Sequence, residues 1–334
     1  MIEVKVLPGD SSQRSDKFIM KLLPGAGKSL IFKQIRKKNI TLNGKKMDGT
    51  EKLAAGDKLQ FFFSDETFEK FKHPTDSSVY DHTLALADKA YATIKDIKIV
   101  YEDDDFIIMN KPVGILTQSD SKSDISLNEW LIGYLHHKGF VTDESLPHFK
   151  PSVLNRLDRN TSGMVLGSKT LLGASTISSY LKDRSMHKYY LTWVSGAMEG
   201  QSILHAFHIK DNVENKVSIK DKLTESDNPN DYNEISTGYR VIKTIEHDKL
   251  GTLSLLEIEL ITGKSHQIRA HMAYIGHPLL GDYKYGLKGF NRKLEAYGIK
   301  SQMLHAYRLI MPDGREYTCD LPDSWRFLDG NMEE

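Results

Sequence analysis

A single cysteine, Cys319, among 334 residues excludes an internal disulfide and any cysteine-based zinc site. No stretch approaches the ~20 apolar residues that a membrane-spanning helix needs. Met1-Ile2-Glu3-Val4-Lys5-Val6 lacks the apolar run of a signal peptide. Net charge is missing too: 45 Lys and Arg balance 45 Asp and Glu, so a polyanion must be met by local patches. Gly25-Ala26-Gly27-Lys28-Ser29 has neither the preceding strand nor the first glycine that a phosphate-cradling loop requires, and no Gly-x-Ser-x-Gly elbow occurs. The 13 histidines do not fall at metal-ligand spacing: His266 and His271 are off the i,i+4 pattern. His205 and His208, in a strand-like run, point to opposite faces. A cytoplasmic protein without membrane contact, metal, nucleotide or other cofactor is the expectation. The length suggests about two domains, and 39% hydrophobic with 27% charged residues is ordinary for a globular chain.

What is present begins with a basic cluster. Ile2 to Val6 alternates as a strand. Ser15 and Asp16 can cap a helix through Phe18, Ile19, Leu22 and Leu23, which Pro24-Gly25 ends. A second helix runs from about Ser29 to Lys38 with Leu30, Ile31 and Ile35 inward. A hairpin follows at Asn43-Gly44, then a strand from Lys58 to Phe63. Between Lys28 and Lys46 stand seven basic residues and no acidic one. A charge run is most often a solvated face, but here helix and hairpin bring the charges together, as in a phosphate-backbone binder.

The segment from residue 71 to 96 reads as a linker, polar and turn-rich at His73-Pro74-Thr75-Asp76, with a weak helix near Leu84 to Tyr91. Strands Ile97–Tyr101 and Phe106–Met109 flank Glu102-Asp103-Asp104-Asp105, whose side chains diverge on a turn and do not suggest a metal site. Asn110-Lys111-Pro112-Val113-Gly114 breaks the sheet. A helix covers Leu127 to Leu135, and Ser168 can cap another to Lys182. Residues Asp211 to Glu234 read as a mobile polar insertion.

Two strings stand apart. The first is Asn155-Arg156-Leu157-Asp158-Arg159-Asn160-Thr161-Ser162-Gly163, closing on the strand-like Met164-Val165-Leu166. It sets a carboxylate between arginines on a turn, where a side chain is aimed out of a rigid scaffold. For an isolated Asp, bonding to local backbone is the commoner role. The second is Thr262-Gly263-Lys264-Ser265-His266-Gln267-Ile268-Arg269-Ala270-His271, with Gly276-His277-Pro278-Leu279-Leu280-Gly281-Asp282 after it. Between them Lys188 to Ser195 is a strand with Tyr190, Thr192 and Val194 on one face and Tyr189, Leu191 and Trp193 on the other.

Residues 11–63 resemble the alpha-L RNA-binding domain named after ribosomal protein S-four, through Gln13 to Phe18, Lys28-Ser29-Leu30, Ile35-Arg36-Lys37, Leu42-Asn43-Gly44-Lys45 and Ala55-Gly56-Asp57. Asn155 to Asp158 with Thr161-Ser162-Gly163, then Lys188-x-Tyr190, then Thr262 to His271 with Gly276-His277-Pro278, resemble the RluA-type pseudouridine synthases over residues 97–322. Within that family the order of the domains is similar to the ribosomal large-subunit enzymes, the C type among them. Asn155 stands where the family has histidine, and Lys264 where it has arginine. The resemblance implies an α+β fold: a catalytic domain with a mixed, mostly antiparallel sheet at residues 97–325, a linker at 71–96, and a small α+β RNA-binding domain at 1–70. It implies isomerisation of uridines in RNA, large-subunit ribosomal RNA above all, by a monomer that uses no cofactor. Asp158 is then the nucleophile, Arg269 its partner, and Tyr190 a stacking residue with a part in removing the carbon 5 proton. Ile268 becomes the pocket wall, and Arg156 enters the space a flipped base leaves. Lys28, Arg36, Lys37 and Lys45 become phosphate contacts. A catalytically silent RNA-binding factor on the same fold is the alternative, and the presence of Asp158, Tyr190 and Arg269 speaks against it.

Overall fold

The structure, a computed structural model, describes all residues but 8–9, 12, 73–77, 120–123, 144, 147–148, 212–215 and 329–334; at 78–81 and 326–328 it describes the backbone alone. It comprises two compact units. The first holds Met1–Ile108, Leu116–Arg156 and Leu166–Ser179; the second holds Met109–Ile115, Leu157–Val165 and Tyr180–Glu334.

The first unit opens with β1 (Ile2–Lys5), α1 (Ser15–Leu22), α2 (Lys28–Arg36), β2 (Ile40–Leu42), β3 (Lys45–Lys46) and β4 (Lys58–Phe61), the strands ordered β1-β4-β2-β3. The helices form where expected, but the start of α1 is built differently. Ser15 donates to the Glu51 carboxylate at 2.8 Å instead of capping, and the cap position falls on Arg14. Asn43 (φ 49°) and Gly44 (φ 74°) are both left-handed, as a tight two-residue hairpin between twisted strands requires. Phe18, Ile19, Ile31, Ile35, Leu59, Phe61 and Phe68 close a core of their own.

Next come α3 (Asp65–Lys72) and α4 (Ser78–Thr93). The linker expected at 71–96 is therefore largely a helix. Leu84, Ala87, Ala90 and Ile94 recur at helical spacing and are buried. Tyr91 lies 5.8 Å from Trp130 of α5 (Leu127–His137). Small residues allow this packing: a Cβ on Gly133 would stand 2.3 Å from the Ala87 carbonyl oxygen. The turn-rich start of that segment lies at 73–77, outside the described residues. The unit also contains β5 (Lys98–Glu102), the start of β6 (Phe106–Lys111), β7 (Ser152–Val153), the end of β8 (Ser162–Ser168) and most of α6 (Leu171–Lys182). Ser168 belongs to β8. Thr170 takes the capping role at α6, its hydroxyl accepting from Gly173 N at 3.0 Å. Buried Lys169 meets Glu102 at 2.9 Å. With Tyr134 and Lys138 it offsets the cost of burying that carboxylate and lowers its pKa to about 2.

The chain enters the second unit through β6 and β8. There β9 (His187–Ser195), β10 (Gln201–Asp211), β11 (Lys216–Lys220), β12 (Asn233–His247), β13 (Gly251–Leu260), α7 (Gln267–Tyr274), α8 (Lys288–Leu294), β14 (Leu304–Ile310) and β15 (Glu316–Thr318) follow. The strand order is β11-β10-β12-β13-β9-β14-β8, with β15 on β14. Every pair is antiparallel except β14 with β8, so the sheet is mixed and mostly antiparallel, and the fold is α+β. Leu191, Trp193, Leu253 and Leu255 pack with Leu280, Leu294, Met303 and Trp325. Val217, Ile219, Ile235 and Ala270 form a second cluster. The insertion expected to be mobile thus contributes β11, because Val217 and Ile219 alternate with polar residues and bury one face. Its return turn is tied by Asp227, which accepts from Lys220 at 2.5 Å and Tyr232 at 2.8 Å.

Candidate active site

Asp158 lies on a turn that Thr161 N closes onto the Asp158 carbonyl at 3.0 Å, just before β8. Gly163 explains why the turn must end there. Its φ is +111°, and a Cβ would stand 2.3 Å from the Ala306 carbonyl oxygen on the parallel neighbour β14. Lys111, fully buried, fixes the turn from beneath: its Nζ donates to the carbonyls of Pro112 at 3.0 Å, Ile115 at 2.9 Å and Arg159 at 3.0 Å. Three carbonyls accept all three hydrogens of an ammonium. Burial pulls its pKa down to about 7, and the Asp158 charge pulls the other way.

Arg269 sits in the first turn of α7. Its Nη1 donates to Asp158 Oδ2 at 2.6 Å. Its Nε and Nη2 donate to Asp282 Oδ2 and Oδ1 at 2.6 and 3.0 Å. The side chain of Asp282 is fully buried, while 29% of the Asp158 side chain is exposed. Burial works against the guanidinium charge, but the two carboxylates outweigh it and push the pKa of Arg269 further up. Two carboxylates around one guanidinium leave one net negative charge, and its accessible end is at Asp158. Asp282 Oδ1 also accepts from Lys284 N and Tyr285 N at 2.9 and 3.1 Å, so it is itself anchored.

Tyr190, on β9, is 5% exposed and close enough to Asp158 to feel its charge. Burial, with the Asp158 charge adding to it, drives its phenol well above the usual range, so it is a neutral hydroxyl. Ile268 is buried beside Arg269 in sequence. The guanidinium of Arg269 lies 5.3 Å from the centre of the Tyr285 ring. His266 precedes α7 in a left-handed conformation, φ 52° and ψ 18°, and its Nε2 is 3.9 Å from Asp158 Oδ2.

The second unit thus contains Asp158, Tyr190, Ile268 and Arg269, and it joins Arg269 directly to Asp158. Arg156 belongs to the first unit, where the preceding Asn155 ties the chain to β8 by accepting from Leu166 N at 2.7 Å. Lys28, Arg36, Lys37 and Lys45 also belong to the first unit; all four are exposed, as are Lys33, Lys38 and Lys46. Exposed Lys264, at the family's arginine position, donates its backbone N–H to Gln267 Oε1 at 3.1 Å. Among the described residues no group of three or more His, Cys, Asp or Glu side chains is placed to hold a metal ion.

A family model described as RNA pseudouridylate synthase matches residues 105–274, which include Asp158, Tyr190 and Arg269. The chain belongs to this family. It is similar to ribosomal large subunit pseudouridine synthase C of Rickettsia conorii, 31% identical over 302 residues, 90% of each chain. It is also similar to an uncharacterized RNA pseudouridine synthase of Mycoplasma genitalium, 32% identical over 92% of this chain and 88% of the other. Of solved structures, human RNA pseudouridylate synthase domain containing 4 shares the fold, with a TM-score of 0.53 at 21% identity over 75% of this chain and 98% of that one. As a pseudouridine synthase the chain is an isomerase, and RNA is its substrate.

Asp282 and Tyr285 lie past the end of the matched segment. Their part in the site was missed by sequence reasoning. The string Gly281-Asp282 stood in view, but a carboxylate 13 residues beyond its arginine partner has no periodic signature.

Proposed function

We propose that this synthase modifies uridines of large-subunit ribosomal RNA, with Asp158 as its nucleophile and Arg269 and Tyr190 as its companions. The observation that carries the reading is the Asp158 carboxylate itself. Arg269 anchors one of its oxygens, and no donor among the described residues bonds the other. An ionised carboxylate needs no further activation to act as a nucleophile. The reaction breaks the bond between uracil N1 and ribose C1′ and makes one from C5 to C1′. The proton on C5 leaves and N1 gains one, so atoms and electrons balance without oxidant or cofactor. A uridine within structured RNA has to leave its stack first. The flat guanidinium of Arg156 suits the vacated space, Ile268 the wall of the pocket, and Tyr190 the face of the base.

The choice of large-subunit RNA is supported by the relative from Rickettsia conorii, whose name states that target and which aligns over 90% of this chain. The exposed cluster of Lys28, Arg36, Lys37 and Lys45 supports phosphate contacts by residues 1–70. Asp158, Tyr190 and Arg269 come from one unit of one chain, which supports action as a monomer. Release of tritium from RNA labelled at uracil C5 tests the reading. The wild type should release it, and Asp158→Asn should not while still binding the RNA. Binding without release by the wild type would leave a silent RNA-binding factor. Release by Asp158→Asn would remove the nucleophile assignment.

A further inference from the structure

Asp158 Oδ2 is faced by a second nitrogen. His266, its side chain 12% exposed, turns Nε2 toward that oxygen at 3.9 Å. On its other side Nδ1 is 2.9 Å from the hydroxyl oxygen of Tyr285. That oxygen already accepts from Val217 N, on β11, at 2.9 Å. The position of each proton follows from these three contacts. The amide of Val217 can only donate, so the tyrosine oxygen accepts there. Were the proton on Nδ1, the phenol hydrogen would lose this partner and the bare lone pair of Nε2 would face the Asp158 carboxylate. The arrangement that satisfies all three contacts has the phenol donating to Nδ1. A nitrogen that accepts carries no proton, and in a neutral imidazole the proton is then on Nε2. Burial lowers the pKa of His266 and keeps it neutral, against the attraction of Asp158. The N–H of His266 is therefore directed at Asp158.

The backbone supports this arrangement. A left-handed histidine is uncommon and persists where its surroundings dictate it. Here His208, on β10, donates from Nε2 to the Ser265 carbonyl at 3.0 Å. Gln267 spans the other side, donating to Ser236 O and Thr237 Oγ1 at 3.0 Å each. The β10–β11 hairpin thus secures both the peptide before His266 and, through Tyr285, its ring.

We propose that His266 is a positioning residue for the nucleophile: with its proton fixed on Nε2 by Tyr285, it joins Arg269 in holding Asp158 Oδ2 and leaves Oδ1 as the oxygen that meets the substrate. This rests on the reading of Asp158 as nucleophile. Catalytic hydrogen bonds are commonly long before substrate binds and tighten in the complex, and 3.9 Å closes to bonding distance with a small movement of either side chain.

Two measurements on the full-length chain test it. Nitrogen-15 spectra of the histidine rings at neutral pH should show a signal with Nε2 protonated and Nδ1 bare that disappears in His266→Gln and changes in Tyr285→Phe. A His266 signal with the proton on Nδ1 overturns the proposal. In tritium release, Tyr285→Phe keeps the ring beneath Arg269 and removes the hydroxyl alone. It and His266→Leu should each lower kcat by ~10-fold, less than the roughly 10²–10⁴-fold carried by a group that itself transfers the proton, with KM within about twofold. His266→Gln, which retains an N–H, should recover part of the loss. Because Tyr285 acts through His266, the double variant should be no slower than His266→Leu. Unchanged kcat in folded His266→Leu, or additive losses, overturns the proposal. A wild type that releases no tritium would instead refute the functional reading, and the spectra would still decide the tautomer.

Discussion

Asp282 grips Arg269 through two hydrogen bonds, 2.6 Å to Nε and 3.0 Å to Nη2, from a fully buried position. Bidentate pairing fixes the guanidinium plane as well as its place, and Nη1 is thereby aimed at Asp158. Asp282→Asn keeps the shape and loses the second charge-assisted contact. We expect kcat for tritium release to fall by about 100-fold, the scale of a misplaced catalytic partner, with KM little changed. Breaking a buried pair also costs about 3–5 kcal/mol, to be read from a denaturant titration of the same variant. An unaltered kcat in folded Asp282→Asn would show that Arg269 finds its position without help.

Gly163→Ala should be expensive for a single methyl group. The position combines φ of +111° with 2.3 Å between the new Cβ and the Ala306 carbonyl oxygen. Backbone in such a region costs on the order of 1–3 kcal/mol for a residue with a side chain, and the collision with β14 adds to it. The denaturation midpoint should drop, and activity should drop with it because the turn bearing Asp158 ends at this glycine. A midpoint equal to that of the wild type would mean that β8 and β14 separate easily.

His305 supplies a pH dependence. It is 1% exposed, bonded to Ser162 at 2.8 Å and close to Cys319 at 3.3 Å. Burial lowers its pKa from 6.5 to about 4. In the unfolded chain it takes up a proton below pH 6.5, which the folded chain declines until about pH 4. The unfolded state therefore binds more protons in that window, and stability falls as the pH falls through it, by about 3 kcal/mol for this one group. Urea titrations at pH 7 and pH 4.5 should show the loss, and His305→Gln should show a smaller one. Equal losses in both proteins would assign the acid sensitivity elsewhere.

The basic residues of the first unit should govern affinity and leave chemistry alone. None of the seven has an ion-pair partner among the described residues. Changing Lys28, Arg36, Lys37 and Lys45 to Gln should weaken binding to structured ribosomal RNA and flatten its salt dependence by a slope of roughly 0.7–0.9 per lost phosphate contact. Turnover at saturating RNA should stay as it was. An unchanged salt slope would reduce the cluster to a solvated face.

The pairing of Asp158 with Arg269 could be read from the sequence because each sits in a short string whose neighbours repeat a family pattern. Their supports could not. Lys111 looks like a break in a strand until the fold places three carbonyls around its amine. The full length of α4 is hard to see in the sequence because two of its buried positions, Ala87 and Ala90, add little to an apolar pattern, although Ala87 fits closely against Gly133. In β11 the polar setting obscured the alternation of Val217 and Ile219, which packing against Ala206, Ile235 and Ala270 makes decisive. The hairpin at Asn43-Gly44 was plain because its signal is local, two residues that tolerate positive φ.

The strand bearing Tyr190 lies between β13 and β14, which the chain reaches only at Gly251 and Leu304. The Asp158–Arg269 contact spans 111 residues, and Asp282 comes later still. During synthesis, with earlier segments folding first, a nascent chain on the proposed reading would present its basic N-terminal cluster to RNA long before it possesses the Asp158–Arg269 pair. Adhesion would then precede chemistry in the life of each molecule, and a chain released before β14 would be a competitor for RNA that modifies nothing.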